Sequence, residues 1–157
     1  ILIGGILRHE QALLVGHLGE RILEDLHIKT AFVSCSGISV EVGLTQADIQ
    51  EAQLKSQMIE SADRVVALID STKFGKVDLT LFATIEQVSH ILTDSELAPH
   101  HIDELRQTCV NLTVCGENTI SSYTPCSEEL GRYKIGFANM RHFEFAGPGA
   151  WNDPDYS

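Results

Sequence analysis

The chain has 157 residues, 43% of them hydrophobic, enough for one well-packed domain of ordinary size with a remainder outside it. Eleven basic against 22 acidic residues give a net charge of −11, which repels phosphate backbones and anionic lipid headgroups and excludes DNA binding by these residues on their own. No stretch approaches the roughly 18 apolar residues of a membrane-spanning helix, and the opening ILIGGILRHEQ lacks the basic start and cleavage site of a signal peptide, so the expected compartment is the cytoplasm.

Ile1 to Ile3 reads as a strand running into the Gly4–Gly5 turn with no preceding cap, as in a chain that begins mid-protein. Gly16 to Leu26 carries Leu18, Ile22, Leu23 and Leu26 at helical spacing. Thr30 to Ser34 is the next strand. After a loop through Gly37 and Gly43, TQADIQEAQLKSQMIESAD reads as a helix that starts at Thr45, with Asp48 in the place of the usual capping-box Glu or Gln. Arg64 to Ile69 is nearly continuous in apolar residues, the pattern of an interior strand of a parallel sheet. Val77 to Ala83 fits a further strand or the turn of a β-unit on the sheet edge. Val88 to Thr93 is a strand, Pro99 opens a helix to about Thr108, and Asn111 to Cys115 is a last strand.

Strands alternating with helices define an α/β fold. After Gly116, ENTISSYTPCSEELGR shows no periodicity and reads as a linker; Tyr133 to Ala138 fits one more strand, and AGPGAWNDPDYS reads as a loop or tail. The expected division is a domain over 1–115 and an extension over 116–157. The four cysteines lack zinc-site spacing and are expected as plain buried thiols.

Four β-branched runs break off into polar loops: AFVSCSG, VVALIDSTKFG, HILTDSE and LTVCGEN. Ligands of open α/β sheets bind at the carboxyl edge of the strands, so these exits define a candidate small-molecule site. In DSTKFG, Asp70 and two hydroxyls precede Lys73, whose ammonium is a point-charge phosphate ligand; the same spacing also fits an ordinary loop lysine. Gly4, Gly5, Ser36 and Gly37 lie in turns expected at the same edge, where glycine lets backbone approach a ligand closely. Glu51 and Lys55 sit near the start of the long helix, either lining that crevice or forming an i,i+4 pair on a partly exposed face. Asp70 and Asp94 are the conceivable general bases, though carboxylates at strand ends commonly serve as caps. No dinucleotide, Walker or Ser-His-Asp pattern is present, and neither a metal nor a cofactor is expected.

The order of GG at 4–5, AFVSCSGIS at 31–39, GLT at 43–45, EAQLKSQMIESADRVVALIDSTKFG at 51–75 and ILTD at 91–94 resembles the C-terminal sensor domain of DeoR-family transcriptional regulators. The resemblance implies a three-layer Rossmann-like sheet similar to ribose-5-phosphate isomerase, glucosamine-6-phosphate deaminase and the CoA transferases. It implies a domain that binds a phosphorylated sugar without converting it, controls operator DNA through an N-terminal winged helix absent from these residues, and oligomerises. Gly4, Gly5, Ser36, Gly37, Asp70 and Lys73 are the implied pocket positions, with Glu51 and Lys55 at its wall. The rival is a sugar-phosphate isomerase or deaminase using Asp70 or Asp94 as base. RYKIGFAN at 132–139 resembles the first strand of a periplasmic-type sugar-binding domain, and GPGAWNDPDY a local stretch of the α-galactosidases, whose two-carboxylate barrel has no counterpart in this sequence.

Overall fold

A computed structural model describes residues 4–9 and 13–125, within a unit spanning Ile1–Ser127. The strands expected at Ile1–Ile3 and Tyr133–Ala138, the closing loop and Cys126 lie outside the described residues. β1 (Ile6–Arg8) and β2 (Leu13–Val15) form an antiparallel hairpin that leads to α1 (His17–Glu24). β3 (Ala31–Val33), β4 (Gly37–Ser39), β5 (Gly43–Gln46) and α2 (Ile49–Glu60) follow. Then come β6 (Val65–Leu68), a 3-10 turn at Ser71–Lys73, β7 (Thr80–Ala83), a second 3-10 turn at Ile85–Gln87 and β8 (His90–Asp94). The described fold closes with α3 (Pro99–Arg106), β9 (Asn111–Cys115) and β10 (Ile120–Tyr123).

The central sheet has the order β10-β9-β8-β6-β3, parallel except for β10. The register places Val33 beside Ala67, Ala67 beside Ile91 and Ile91 beside Leu112, so these four share one face. That face is buried in a single core with Ala52 and Ile59 of α2 and Leu105 of α3. α2, between β3 and β6 in the chain, and α3, between β8 and β9, thus cover the same side, as right-handed crossovers advancing in one direction require. The apolar run at 65–69 is, as its composition implies, an interior strand.

The segment around Gly37 and Gly43, read as loop, forms a second sheet of order β4-β5-β7, antiparallel throughout. β7, the strand expected near Val77 to Ala83, therefore pairs with β5 and not with the parallel sheet. Gly43 adopts φ +104, a left-handed conformation that suits glycine, and a Cβ there would lie 2.3 Å from the Ala83 carbonyl oxygen. Thr45 is not the cap of α2. It is buried in β5, where its hydroxyl donates to the Gly37 carbonyl (3.1 Å) and accepts from the Asp78 amide (2.8 Å). The cap is Asp48, whose carboxylate accepts the Glu51 amide at 2.9 Å. The region read as a linker contains β10, paired antiparallel with β9 through a turn closed by Gly116 N–H to Thr119 C=O (2.7 Å). Its sequence, Ile-Ser-Ser-Tyr, has no apolar alternation because most of it faces solvent on an edge strand.

Replacing Thr45 by Val leaves the buried Gly37 carbonyl and the Asp78 amide without their hydroxyl partner, and unfolding in urea is expected to show a loss of about 1–3 kcal/mol. Thr45→Ser, which keeps the hydroxyl, is expected to retain most of that stability.

Candidate functional site

Parallel pairing brings the exits of β3, β6 and β8 to one edge of the sheet. Beyond β6, Asp70 caps the Ser71–Lys73 turn: its carboxylate accepts the Thr72 amide at 3.2 Å and the Thr72 hydroxyl. The Lys73 ammonium stands 3.9 Å from the same carboxylate, with its side chain 35% exposed. Beyond β8, Asp94 accepts the Ser71 amide (2.8 Å) with one oxygen and the Glu96 amide (2.9 Å) with the other, which ties two adjacent strand exits together. The turn is also fastened to β4: Gly75 N–H donates to the Ile38 carbonyl at 2.9 Å, and Gly75 takes φ +73.

Ser36, leaving β3, donates through its amide to the Thr45 carbonyl (3.0 Å), and its hydroxyl accepts the Ala47 amide (3.0 Å). Gly37 is packed so tightly that a Cβ would lie 2.6 Å from the Lys76 carbonyl oxygen, so glycine here serves backbone approach between two loops. On α2, Lys55 and Glu51 pair at 2.7 Å with side chains only 14% and 17% exposed. Lys55 also donates to Gln46 at 3.0 Å and lies 5.4 Å from the centre of the Phe82 ring. The pair is therefore an i,i+4 contact that is mostly buried, more constrained than a solvated surface bridge.

Burial pushes the Cys35 thiol up to about 12, against the pull of Lys55 and Lys73 and with the push of Asp70. Arg8, at the end of β1, pairs with Asp48 and donates to Gln50 at 2.8 Å, so the hairpin also reaches the start of α2. Gly4 and Gly5 stand elsewhere on that hairpin. A Cβ on Gly5 would lie 2.6 Å from the Val15 carbonyl oxygen, and Gly4 has nothing within 4 Å of its Cβ position. Their contacts do not bring them to Lys73.

The cysteines are not uniformly buried as expected: Cys35 is buried, Cys109 is half-buried and Cys115 is exposed, all three free. Neither Asp70 nor Asp94 is poised as a base. The Thr72 hydroxyl holds Asp70 below the usual carboxylate range, and the Ser71 amide does the same for Asp94. Cys35 was expected only as a buried thiol, inside a strand exit whose neighbouring serines drew attention instead. Thr93, one of the polar groups expected at the sheet edge, has a buried hydroxyl without a hydrogen-bond partner among the described residues. A cavity of about 310 Å³ adjoins the turn at Phe74 and Gly75 and is walled by Ile38, Val40, His101 and Leu105, but by none of the candidate residues.

This is a regulatory α/β domain built around a mostly parallel sheet. A family model described as the DeoR C terminal sensor domain matches residues 1–95, and the chain belongs to that family. It is 36% identical over 110 residues to a Bacillus subtilis (strain 168) protein named Uncharacterized HTH-type transcriptional regulator YulB, covering 70% of this chain and 43% of that protein. It is 34% identical over 97 residues to the HTH-type transcriptional regulator GolR of Listeria innocua, covering 62% and 38%. Identity is 33% over 109 residues to the L-fucose operon activator of Haemophilus influenzae, covering 69% and 42%. The chain thus spans less than half the length of these relatives. It is a sensor domain of the kind that these transcriptional regulators carry. No helix among the described residues is long and apolar enough to cross a membrane.

Because the folded Asp94 carboxyl sits below its unfolded value of about 3.9, its stabilising contribution is full above that pH and is lost as pH falls through the lower folded value. Asp94→Asn is expected to weaken the protein at pH 7 and to flatten the decline in denaturation midpoint between about pH 5 and 2, read by circular dichroism. In the native protein Cys115 is expected to react with a disulfide reagent at pH 8 within minutes, whereas Cys35 reacts only after unfolding, as thiol counting by mass spectrometry will show.

Proposed function

We propose that this domain binds a phosphorylated sugar at the carboxyl edge of its parallel sheet. The carrying observation is the half-exposed Lys73 ammonium 3.9 Å from Asp70 in the turn that leaves β6 at the carboxyl edge, a cation in a chain whose net charge is −11. The Lys73 ammonium meets the phosphate, Asp70 and the Ser36 loop meet sugar hydroxyls, and Gly37 lets backbone come close. Glu51 and Lys55 form the wall. Gly4 and Gly5 belong to the same pocket in this reading through the hairpin that reaches Asp48. A relative named an L-fucose operon activator supports sugars as the ligand class.

The sensor proper spans 1–115, with β10 extending its sheet and 116–157 as an extension. Its fold is of the ribose-5-phosphate isomerase, glucosamine-6-phosphate deaminase and CoA transferase type. In the whole regulator a winged helix holds operator DNA, the sensor domains pair as a homo-oligomer, and the protein works in the cytoplasm. A ligand shifts such a regulator only through differential affinity for two states. Drawing Lys73 away from Asp70 toward a phosphate repositions the turn, and the Gly75–Ile38 hydrogen bond passes that movement to β4.

Lys73→Ala is expected to weaken binding of a sugar phosphate about tenfold or more by isothermal calorimetry, with the melting temperature of the free protein little changed. Unchanged affinity across a panel of pentose and hexose phosphates refutes the assignment of Lys73.

A further inference from the structure

The cavity beside Phe74 and Gly75 has a chemistry of its own. Its floor is apolar: Ile38 of β4, Phe74 and Leu105 of α3 are all buried. One wall is the tip of the β4–β5 hairpin, held in shape by the Val42 amide, which donates to the Ser39 hydroxyl at 3.1 Å. Another wall is His101 of α3. Its Nδ1 lies 2.9 Å from a Glu104 carboxylate oxygen, and its ring packs against Phe74 with centroids 5.8 Å apart. The Cε1–Nε2 edge of the ring lies against Gly75, where a Cβ would stand 3.2 Å from Cε1. In the neutral ring Nδ1 donates to the carboxylate, which leaves Nε2 as an acceptor. The carboxylates of the rim add charge of one sign. Glu41 and Glu104 both line the cavity, and among the described residues no lysine or arginine does; Lys76, which lies between two wall residues in the chain, is not part of the lining.

We propose that this cavity is a second ligand site, for a small organic cation: an ammonium on a short chain that ends in one apolar ring. Volume sets the body of the ligand. A dry cavity of about 150 Å³ takes benzene. The volume of about 310 Å³ therefore holds a ring with several further heavy atoms. Charge sets the head. The N–H groups of an ammonium donate to the Glu41 and Glu104 carboxylates and to His101 Nε2, whereas an anion of the same size meets two like charges. An apolar floor with a few convergent polar groups is the usual make-up of a small-molecule pocket. The site is separate from the sugar-phosphate edge, since none of Ser36, Lys55, Asp70 and Lys73 lines it. It is nevertheless next to that edge: Phe74 and Gly75 continue the turn that carries Lys73, and the Gly75 amide donates to the Ile38 carbonyl at 2.9 Å.

The test titrates 2-phenylethylammonium chloride into the protein at pH 7 and follows the amide chemical shifts residue by residue. The neutral and anionic counterparts are 2-phenylethanol and phenylacetate. Saturable shifts are expected at Ile38, Gly75 and Leu105, with the ammonium bound about threefold or more tighter than the alcohol and phenylacetate not bound. Val42→Trp fills the mouth of the cavity from a position that is 39% exposed. This variant is expected to weaken ammonium binding about tenfold or more with an unchanged circular dichroism spectrum. The double variant Glu41→Gln with Glu104→Gln is expected to bring the ammonium down to the affinity of the alcohol, while the alcohol binds as before. An alcohol that binds wild type as tightly as the ammonium overturns the proposal, because it leaves an apolar hollow with no choice of charge. Ammonium shifts that do not saturate, or that keep full strength in Val42→Trp, overturn it as well. No phosphate ester is present in any arm, so the outcome is independent of the Lys73 experiment.

Discussion

The Asp94 carboxylate is the tie on which the arrangement of the site depends. One oxygen reaches across from the end of β8 to the Ser71 amide just beyond β6, and the other closes its own loop on Glu96. Parallel strands bring their exits to a common level but leave the loops free. A carboxylate accepting two backbone amides fixes one loop relative to the next with charge-assisted hydrogen bonds. Asp70 then starts the turn, Lys73 follows at the distance of its own cap, and Gly75 delivers the chain to β4. The same bonds that position Asp70 and Asp94 lower their basicity, which makes these two acids at the mouth of the sheet poor general bases.

Electrostatics acts here on two scales. Over the whole chain an excess of acid groups disfavours polyanions. Locally, Lys55 is drawn out of solvent by Glu51, Gln46 and the ring of Phe82, while Lys73 keeps about a third of its side chain in water. The two lysines thus differ in freedom: Lys55 is held by several partners, and Lys73 is more exposed and stands 3.9 Å from Asp70.

What could be read in the sequence follows from how locally each feature is encoded. The parallel strands are apolar runs bounded by polar exits, and α1, α2 and α3 carry helical spacing or a proline at the first position, so all were recognisable along with the edge they share. The Asp70 cap and its lysine neighbour were visible for the same reason. The second sheet was not, because β4 and β5 are short, glycine-bearing strands whose identity rests on β7, some 35 residues later. Thr45 looked like a helix cap because caps and strands both use threonine, and only the Asp78 amide and Gly37 carbonyl decide between them. Cys35 was hidden by chemistry: a thiol marks a site only through its surroundings, and the charges that act on it come from α2 and from the Asp70–Lys73 turn.

The two ends of the central sheet differ in character. β10 ends one side with serines and an outward isoleucine, running against its neighbour. β3 ends the other with Phe32, 61% exposed, running with its neighbour. Short edge strands offer little template for pairing with a further chain, and at four and three residues both margins of the described sheet are guarded in that way against runaway polymerisation.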